Sequence, residues 1–360
     1  RPTGAWIAAY YGAVALLLVA DLYRIPLLSI MYRRHPEGGF SKGRRHLLWV
    51  LPLLVSIVPL WNCLPGRPRC TSIQCLASGR YPIVTMPASD GSAVIVNAGA
   101  KLAGERLLFD SLRTRGASRV ETVVLCSADP QAGMEGAAAL LGKMRIEQCL
   151  LPVVPTPKQS FLEALGDDYT ISQAKQGERW ALQYETAFDA LEQALAEKKV
   201  PWTKIQNGEL CRWKNGSLVA LPRYDGTPAR FAASARTPIL EAVVGGLRWL
   251  IITDTSSAAV KQTLAANEHY DVIIVPDMSS RSSFRYWLER AVRSATPQML
   301  IVAGERENDT LELSGLAAIA PELTILVTSR DGAVSATFEG DGATKLRTHL
   351  TLQEFVLRPL

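Results

Sequence analysis

Histidine is scarce in this sequence. Only four occur among 360 residues, at His35, His46, His269 and His349. Catalytic zinc and manganese centres are commonly built from several imidazoles that converge on one ion. The four residues share no motif, so the sequence excludes a histidine-rich metal centre.

Paired cysteines are missing as well. None of the six cysteines belongs to a C-x-x-C pair, which argues against a zinc ribbon or a redox motif. Cys126 and Cys149 fall in or at the end of apolar segments, and we predict buried free thiols there. A disulfide between Cys70 and Cys75 is the less favoured alternative.

Two further catalytic signatures are absent. No G-x-S-x-G nucleophile elbow occurs, and Ser127 has Asp129 beside it but no nearby histidine base. No glycine-rich loop precedes a helix, because Gly245-Gly246 is predicted to form a hairpin turn. These absences argue against a serine hydrolase and a phosphate-binding loop.

The charge of the chain is unevenly distributed. Of 39 Lys and Arg and 34 Asp and Glu, seven and two respectively lie in residues 1–64, which leaves 32 of each in 65–360. The net charge of +5 therefore comes from the N-terminal part. A globally basic, nucleic-acid-binding domain is excluded, whereas a local basic patch is not.

Two long uncharged runs lie on either side of most of these N-terminal charges. Residues 5–20 and 47–64 carry no charge, and we predict that 1–64 form two transmembrane helices. The intervening loop 33–46 is basic, which indicates a cytoplasmic location. Everything after it would then lie on the periplasmic or extracellular side of a bacterial inner membrane. A buried hairpin and a cleaved signal peptide are the alternatives.

The remaining chain alternates apolar and amphipathic segments. Among the predicted elements are a long helix over Ala181–Lys199 and short strands at Ala93–Val96, Thr122–Cys126, Val272–Val275 and Met299–Val302. A linker at 65–70 precedes a domain at 71–350, and 351–360 form a tail. Two β-rich halves, each followed by α/β units, predict a four-layer αββα sandwich. The chain does not begin with Met, and we expect further residues upstream.

Three aspartates follow predicted strands: Asp129, Asp254 and Asp277. Together they could hold a weakly bound Mg²⁺ or Mn²⁺. Aspartate after a strand also commonly caps a turn or a helix. The capping interpretation is favoured.

Several segments together resemble one family. The turn Asp90-Gly91 leads into Val94-Ile95-Val96-Asn97-Ala98-Gly99, and Leu250-Ile251-Ile252-Thr253-Asp254 follows later. With the two apolar helices and the strand–turn–helix around Cys126, this order is similar to the C-terminal half of ComEC-type competence proteins. These are bacterial DNA-uptake channels with an external metallo-β-lactamase-like domain. The resemblance covers nearly the whole chain, through pattern more than identity.

The resemblance also locates a degenerate metal site. Ser127, Asp129, Gln131 and Ala132 stand where the family has His, Asp, Asp and His, and Asp254 stands where it has an Asp ligand. Val275-Pro276-Asp277-Met278 replaces Val-Pro-His-His. The ancestral fold would bind Zn or Mn, whereas this chain is expected to bind no cofactor.

The resemblance implies a function in DNA uptake. The domain would be catalytically inactive and would act as a scaffold or contact single-stranded DNA; lipid and upstream channel helices of the same protein would be its other partners. Arg281 and Arg285 could contact phosphates, or could form the solvated face of a helix. The alternatives are a residual metal-dependent phosphodiesterase that uses the three aspartates, and a membrane-tethered interaction module unrelated to DNA.

Overall fold

A computed structural model describes a large part of the chain after residue 70. The described residues are 71–76, 79, 81–127, 129–152, 171–213, 216–221, 238–253, 268–276, 282–304, 315–338 and 344–359. They fall within one compact unit, Arg67–Leu360. The predicted membrane helices, the loop 33–46 and the linker lie outside the described residues.

The first sheet has nine strands. In chain order these are β1 (Ser72–Leu76), β2 (Ile83–Pro87), β3 (Ala93–Val96), β4 (Arg119–Val124), β5 (Arg145–Leu151), β6 (Trp202–Lys204), β14 (Val334–Phe338), β15 (Thr344–Thr348) and β16 (Glu354–Leu357). Their order across the sheet is β16-β15-β14-β1-β2-β3-β4-β5-β6. The strands from β3 to β6 are parallel, and the other neighbours are antiparallel.

The second sheet has seven strands. In chain order they are β7 (Gly208–Trp213), β8 (Gly216–Ala220), β9 (Leu240–Val244), β10 (Leu247–Ile251), β11 (Val272–Val275), β12 (Met299–Val302) and β13 (Thr324–Val327), and neighbours in sequence are neighbours in the sheet. The predicted turn Gly245-Gly246 joins β9 to β10 with φ angles of 63° and 83°. Glycine adopts such angles without steric cost.

The helices lie between the strands in sequence. They are α1 (Ala103–Leu108), which is π-helical and continues as α2 (Phe109–Thr114), then α3 (Met134–Leu141), α4 (Ile171–Lys198) and α5 (Ser282–Ala295). Shorter helices occupy 315–319 and Thr328–Asp331. Among the described residues, no helix combines the length and the apolarity needed to cross a bilayer.

Three apolar clusters define the layers. Val94 and Val96 of β3 pack in a cluster with Trp249 of the second sheet, between the two sheets. Ile95, on the opposite side of β3, packs in a cluster with residues of α2, α3 and α4. Leu250 packs in a third cluster with residues of α5. Because both faces of each sheet are covered, strands such as β3 are buried along their whole length. The predicted αββα sandwich is therefore confirmed for the described residues.

Two elements differ from the sequence expectation. The segment 351–360, predicted as a tail, contributes β16, which pairs with β15, so the sandwich continues past residue 350. Only Leu357 of this edge strand is buried, which leaves a weak hydrophobic pattern. Helix α4 begins at Ile171, whereas the pattern predicted a start at Ala181.

Candidate functional site

The turn after β4 is built by the ends of three neighbouring strands. The backbone of Leu125 donates to Leu150 of β5 at 2.9 Å, and Asn97 after β3 donates to Val124 at 2.8 Å. Leu125 and Cys126 are fully buried. The sheet thus continues past β4 and delivers Ser127 and Asp129 to its edge.

Asn97 joins these strand ends through its side chain. Its Oδ1 accepts the Cys126 amide at 3.0 Å, and its Nδ2 donates to the Pro82 carbonyl at 3.2 Å. The residue is fully buried and has a φ of 57°. Asparagine tolerates this left-handed conformation better than most residues. From the sequence, Asn97 was predicted only to follow the hairpin, and no structural role was predicted for it. An asparagine followed by Ala-Gly was the available signal for a left-handed residue at this position.

Asp129 caps the turn. Its Oδ1 accepts the Gln131 amide at 2.9 Å, and its Oδ2 accepts the Tyr81 hydroxyl at 2.8 Å. Pro130 follows at the first position of a 3₁₀ turn, Pro130–Ala132, where its missing N–H costs nothing. Of the two interpretations that the sequence left open, this geometry is the capping one. Both carboxylate oxygens of Asp129 already have donors.

The other turn positions offer poor metal donors. Ser127 is buried, and its Oγ accepts the Asp129 amide at 3.1 Å. Gln131 is exposed, and Ala132 carries only a methyl group. Zinc and manganese favour imidazole, thiolate or available carboxylate ligands, so these residues do not fit the metal. In the part of the chain that the structure describes, no three His, Cys, Asp or Glu side chains are grouped to hold an ion.

Close backbone packing fixes the start of α3. A Cβ at Gly136 would overlap the carbonyl oxygens of Ala98 and Gly99, and one at Gly104 would overlap the Gly136 backbone. The amide of Gly136 also donates to the Gly99 oxygen at 3.0 Å. The loop after β3, helix α1 and helix α3 therefore meet through glycines, which holds the turn rigidly in place.

The remaining predicted positions belong to the second sheet. Asp254, Asp277, Met278 and Arg281 lie outside the described residues. The parallel strands β10 and β11 that precede them end at Ile251 and Val275. After β10, Thr253 is buried and its Oγ1 has no hydrogen-bond partner in the described structure. One neutral hydroxyl does not make a metal site.

Arg285 is engaged within its own helix. Its Nε lies 2.8 Å from Oε1 of Glu289, one turn further along α5. Both side chains are partly exposed. This pair agrees with the solvated-face interpretation of α5, and a phosphate would have to compete with Glu289.

The described histidines have structural partners elsewhere. Nδ1 of His269 lies 2.9 Å from the Ala295 carbonyl, and its Nε2 lies 3.5 Å from Asp271, which is beside the start of β11. His349 contacts the Ser335 hydroxyl at 3.1 Å. His35 and His46 lie outside the described residues.

Most of the described cysteines lie in the core. Cys75, Cys126 and Cys149 are buried and Cys211 is partly buried. Burial raises the pKa of the Cys75 and Cys149 thiols to about 12. They are thus protonated near neutral pH and are poor nucleophiles or ligands. The burial predicted at Cys126 and Cys149 is confirmed. Cys75 is a free thiol, and Cys70 lies outside the described residues.

Similarity to known proteins is found among solved structures and not among sequence families. No family model matches the sequence, and no curated protein matches it. Among solved structures, the chain is similar to the metallo-β-lactamase fold protein YhfI from Bacillus subtilis, with 8% identity over 71% of this chain and 96% of that one at a TM-score of 0.44.

Two other structures are similar at the same level. Igni18, a metallo hydrolase from Ignicoccus hospitalis, shares 11% identity over 75% of this chain and 100% of that one, with a TM-score of 0.43. Tm1679, a metal-dependent hydrolase of the β-lactamase superfamily, shares 12% identity over 71% of this chain and 95% of that one, with a TM-score of 0.43.

Proposed function

We propose that this chain is the C-terminal part of a bacterial DNA-uptake membrane protein of the ComEC type, and that its sandwich domain does not hydrolyse DNA. The domain acts as a scaffold that contacts single-stranded DNA. The observation that supports the loss of hydrolysis is the hydrogen bonding of the Asp129 carboxylate. Both of its carboxylate oxygens accept hydrogen bonds, from Gln131 and Tyr81.

Metal-assisted phosphodiester hydrolysis needs an ion that lowers the pKa of a bound water and stabilises the developing negative charge. The turn after β4 supplies no imidazole, and its carboxylate orients a 3₁₀ turn instead. A metal ligand at Asp129 would have to displace the Tyr81 hydroxyl or the Gln131 amide. The strand–turn–helix frame supports a retained fold better than a working hydrolase.

The proposed location follows from the sequence pattern. Two transmembrane helices in 1–64 with the basic loop 33–46 in the cytoplasm would hold the sandwich on the periplasmic or extracellular side of the inner membrane. Lipid and upstream channel helices of the same protein would be its partners there. The near-neutral charge of 65–360 suits a domain that meets DNA through a limited patch rather than through its whole surface.

The first alternative function is that of a residual phosphodiesterase that uses Asp129, Asp254 and Asp277. It is tested by metal analysis and nuclease assays on the full chain, purified in mild detergent and dialysed after exposure to Mn²⁺ and Zn²⁺. We expect substoichiometric metal and no cleavage of single- or double-stranded DNA. The proposal would be refuted if the chain bound stoichiometric metal and cleaved DNA, and if Asp254→Ala abolished the cleavage while the surface control Asp189→Ala on α4 did not.

A membrane-tethered module unrelated to DNA is the other rival. Fluorescence anisotropy of a labelled oligothymidylate with the full chain separates the two. We expect binding at low salt that weakens steeply as salt is added, because phosphate contacts release counterions. Absence of binding at low salt contradicts the DNA role.

A further inference from the structure

A groove of about 340 Å³ lies at the edge of the first sheet where its parallel strands begin. The turn from α3 into β5 forms one wall, and the end of α4 forms the other. Three cations line it: Lys143, Arg145 and Lys198. None of the described residues that line it is acidic.

The floor of this basic groove is apolar. Leu141, Ile146 and Val200 line it and are almost fully buried. An apolar floor below a cationic rim suits a ligand with a flat or apolar body and negative charge along one side. The volume lies near the lower end of the range for ligand pockets, about 300–1,000 Å³, so only a short stretch of a polymer can enter.

The cations are available to a ligand. Lys143 donates one hydrogen bond to the Glu105 carbonyl at 2.6 Å and lies over the Phe109 ring, and its ammonium group keeps further donors. Arg145 and Lys198 are exposed, and the ion pairs between described residues include neither of them. Lys198 also lies in the last turn of α4, where it offsets the negative helix end. Arg145 begins a strand and has no such role.

The neighbouring charges leave this groove positive. Arg119 is the register partner of Arg145 in β4. It pairs with Asp90 at 2.8 Å and Glu147 at 3.4 Å, so the nearest acid on β5 is already engaged by another cation. Residues 65–360 carry equal numbers of acidic and basic side chains, so three cations in a groove that no acidic residue lines form a local basic patch.

The groove is separate from the degenerate turn. It lies at the beginning of β5, whereas the turn with Asp129 follows the end of the parallel neighbour β4. The strands are six and seven residues long, which corresponds to about 20 Å at roughly 3.3 Å per residue. A ligand in the groove therefore does not depend on the lost metal site.

We propose that this basic groove binds the sugar-phosphate backbone of single-stranded DNA, with Arg145 and Lys198 contacting phosphates and the apolar floor contacting sugars or bases. The inference rests on the proposed DNA-contacting function and assigns it to a surface. The bound DNA strand crosses the edge of the first sheet, away from the turn that contains Asp129.

The test is fluorescence anisotropy with the full chain in detergent and a labelled oligothymidylate across a series of salt concentrations. The double variant Arg145→Gln/Lys198→Gln removes two charges from the groove. We expect binding weaker by roughly ten- to a hundredfold at low salt, and a salt slope lower by about 1.4, since each phosphate contact on a single strand contributes about 0.7. The matched control Lys345→Gln/Arg347→Gln removes two exposed charges from β15 in the same sheet and should change neither value.

The outcomes separate this inference from the proposed function. If the chain binds DNA and the groove variant binds as tightly as the wild type, the groove assignment is overturned while the DNA role stands. If the chain binds no DNA, both are overturned.

Discussion

Asn97 provides the most quantitative test of how the site is held together. Asn97→Ala removes the acceptor of the buried Cys126 amide and the donor to Pro82. An unsatisfied buried backbone donor costs about 1–3 kcal/mol. Alanine at a φ of 57° adds about 1 kcal/mol. We therefore expect a loss of about 3 kcal/mol in the free energy of unfolding.

Asn97→Gly separates the two contributions. Glycine tolerates the positive φ but restores neither hydrogen bond, so it should be less destabilising than alanine by about 1 kcal/mol. Urea denaturation of the full chain, followed by tryptophan fluorescence, measures both variants. Trp213 and Trp249 lie in the cluster between the sheets and report on the sandwich. The reasoning is refuted if alanine costs less than about 0.5 kcal/mol, the range of ordinary surface substitutions, or if glycine is as destabilising as alanine.

Three other perturbations test the surrounding structure. Gly136→Ala should destabilise the fold by about 4 kcal/mol or more in the same urea assay, because the added Cβ overlaps two carbonyl groups. In the control Gly142→Ala, the added Cβ meets only the Ala139 carbonyl oxygen at 3.4 Å, so the change should be near neutral. Arg248→Met should cost about 2 kcal/mol because it removes the Glu241 and Glu268 contacts, against less than about 0.5 kcal/mol for Arg212→Met at an exposed pair. Burial raises the pKa of Cys75 and Cys149 from 9.0 to about 12, so these thiols contribute stability that is complete below pH 9 and is lost as pH rises toward 12. Cys149→Ala should therefore flatten the pH–stability curve between pH 9 and 12. A curve that the substitution leaves unchanged would contradict the assignment.

Local pattern was sufficient to locate most strands. Ala93–Val96, Val272–Val275 and Met299–Val302 have the predicted bounds, because short apolar runs between polar turns are typical of strands buried on both faces. The glycine turn at Gly245-Gly246 was predicted for the same reason, since its chemistry is local.

The edges of the sheets were harder to predict. β6 was missed because only Trp202 among its residues is even partly buried, so it carries little hydrophobic signal. β4 begins at Arg119 rather than at Thr122, since its first half alternates partly exposed and buried residues. Such elements are strands because a neighbour pairs with them, which a single sequence does not reveal.

The residues of the site could be predicted from the sequence, but the hydrogen bonds between them could not. The missing histidines could be read directly from the sequence, and capping at Asp129 follows from Asp before Pro. The Tyr81 contact spans 48 residues, and the two hydrogen bonds of Asn97 span 15 and 29. Contacts at these separations depend on strand order, so the sequence could name the residues of the turn without naming what holds them.

The central claim is that the carboxylate of Asp129 caps a turn and does not ligate a catalytic metal. Titration of the full chain with Mn²⁺, followed by electron paramagnetic resonance of the free ion, tests it most directly, with Asp129→Asn as the comparison because asparagine keeps the capping acceptor. The account predicts that all Mn²⁺ remains free with both proteins. One Mn²⁺ bound per chain in the wild type and none in Asp129→Asn would contradict it.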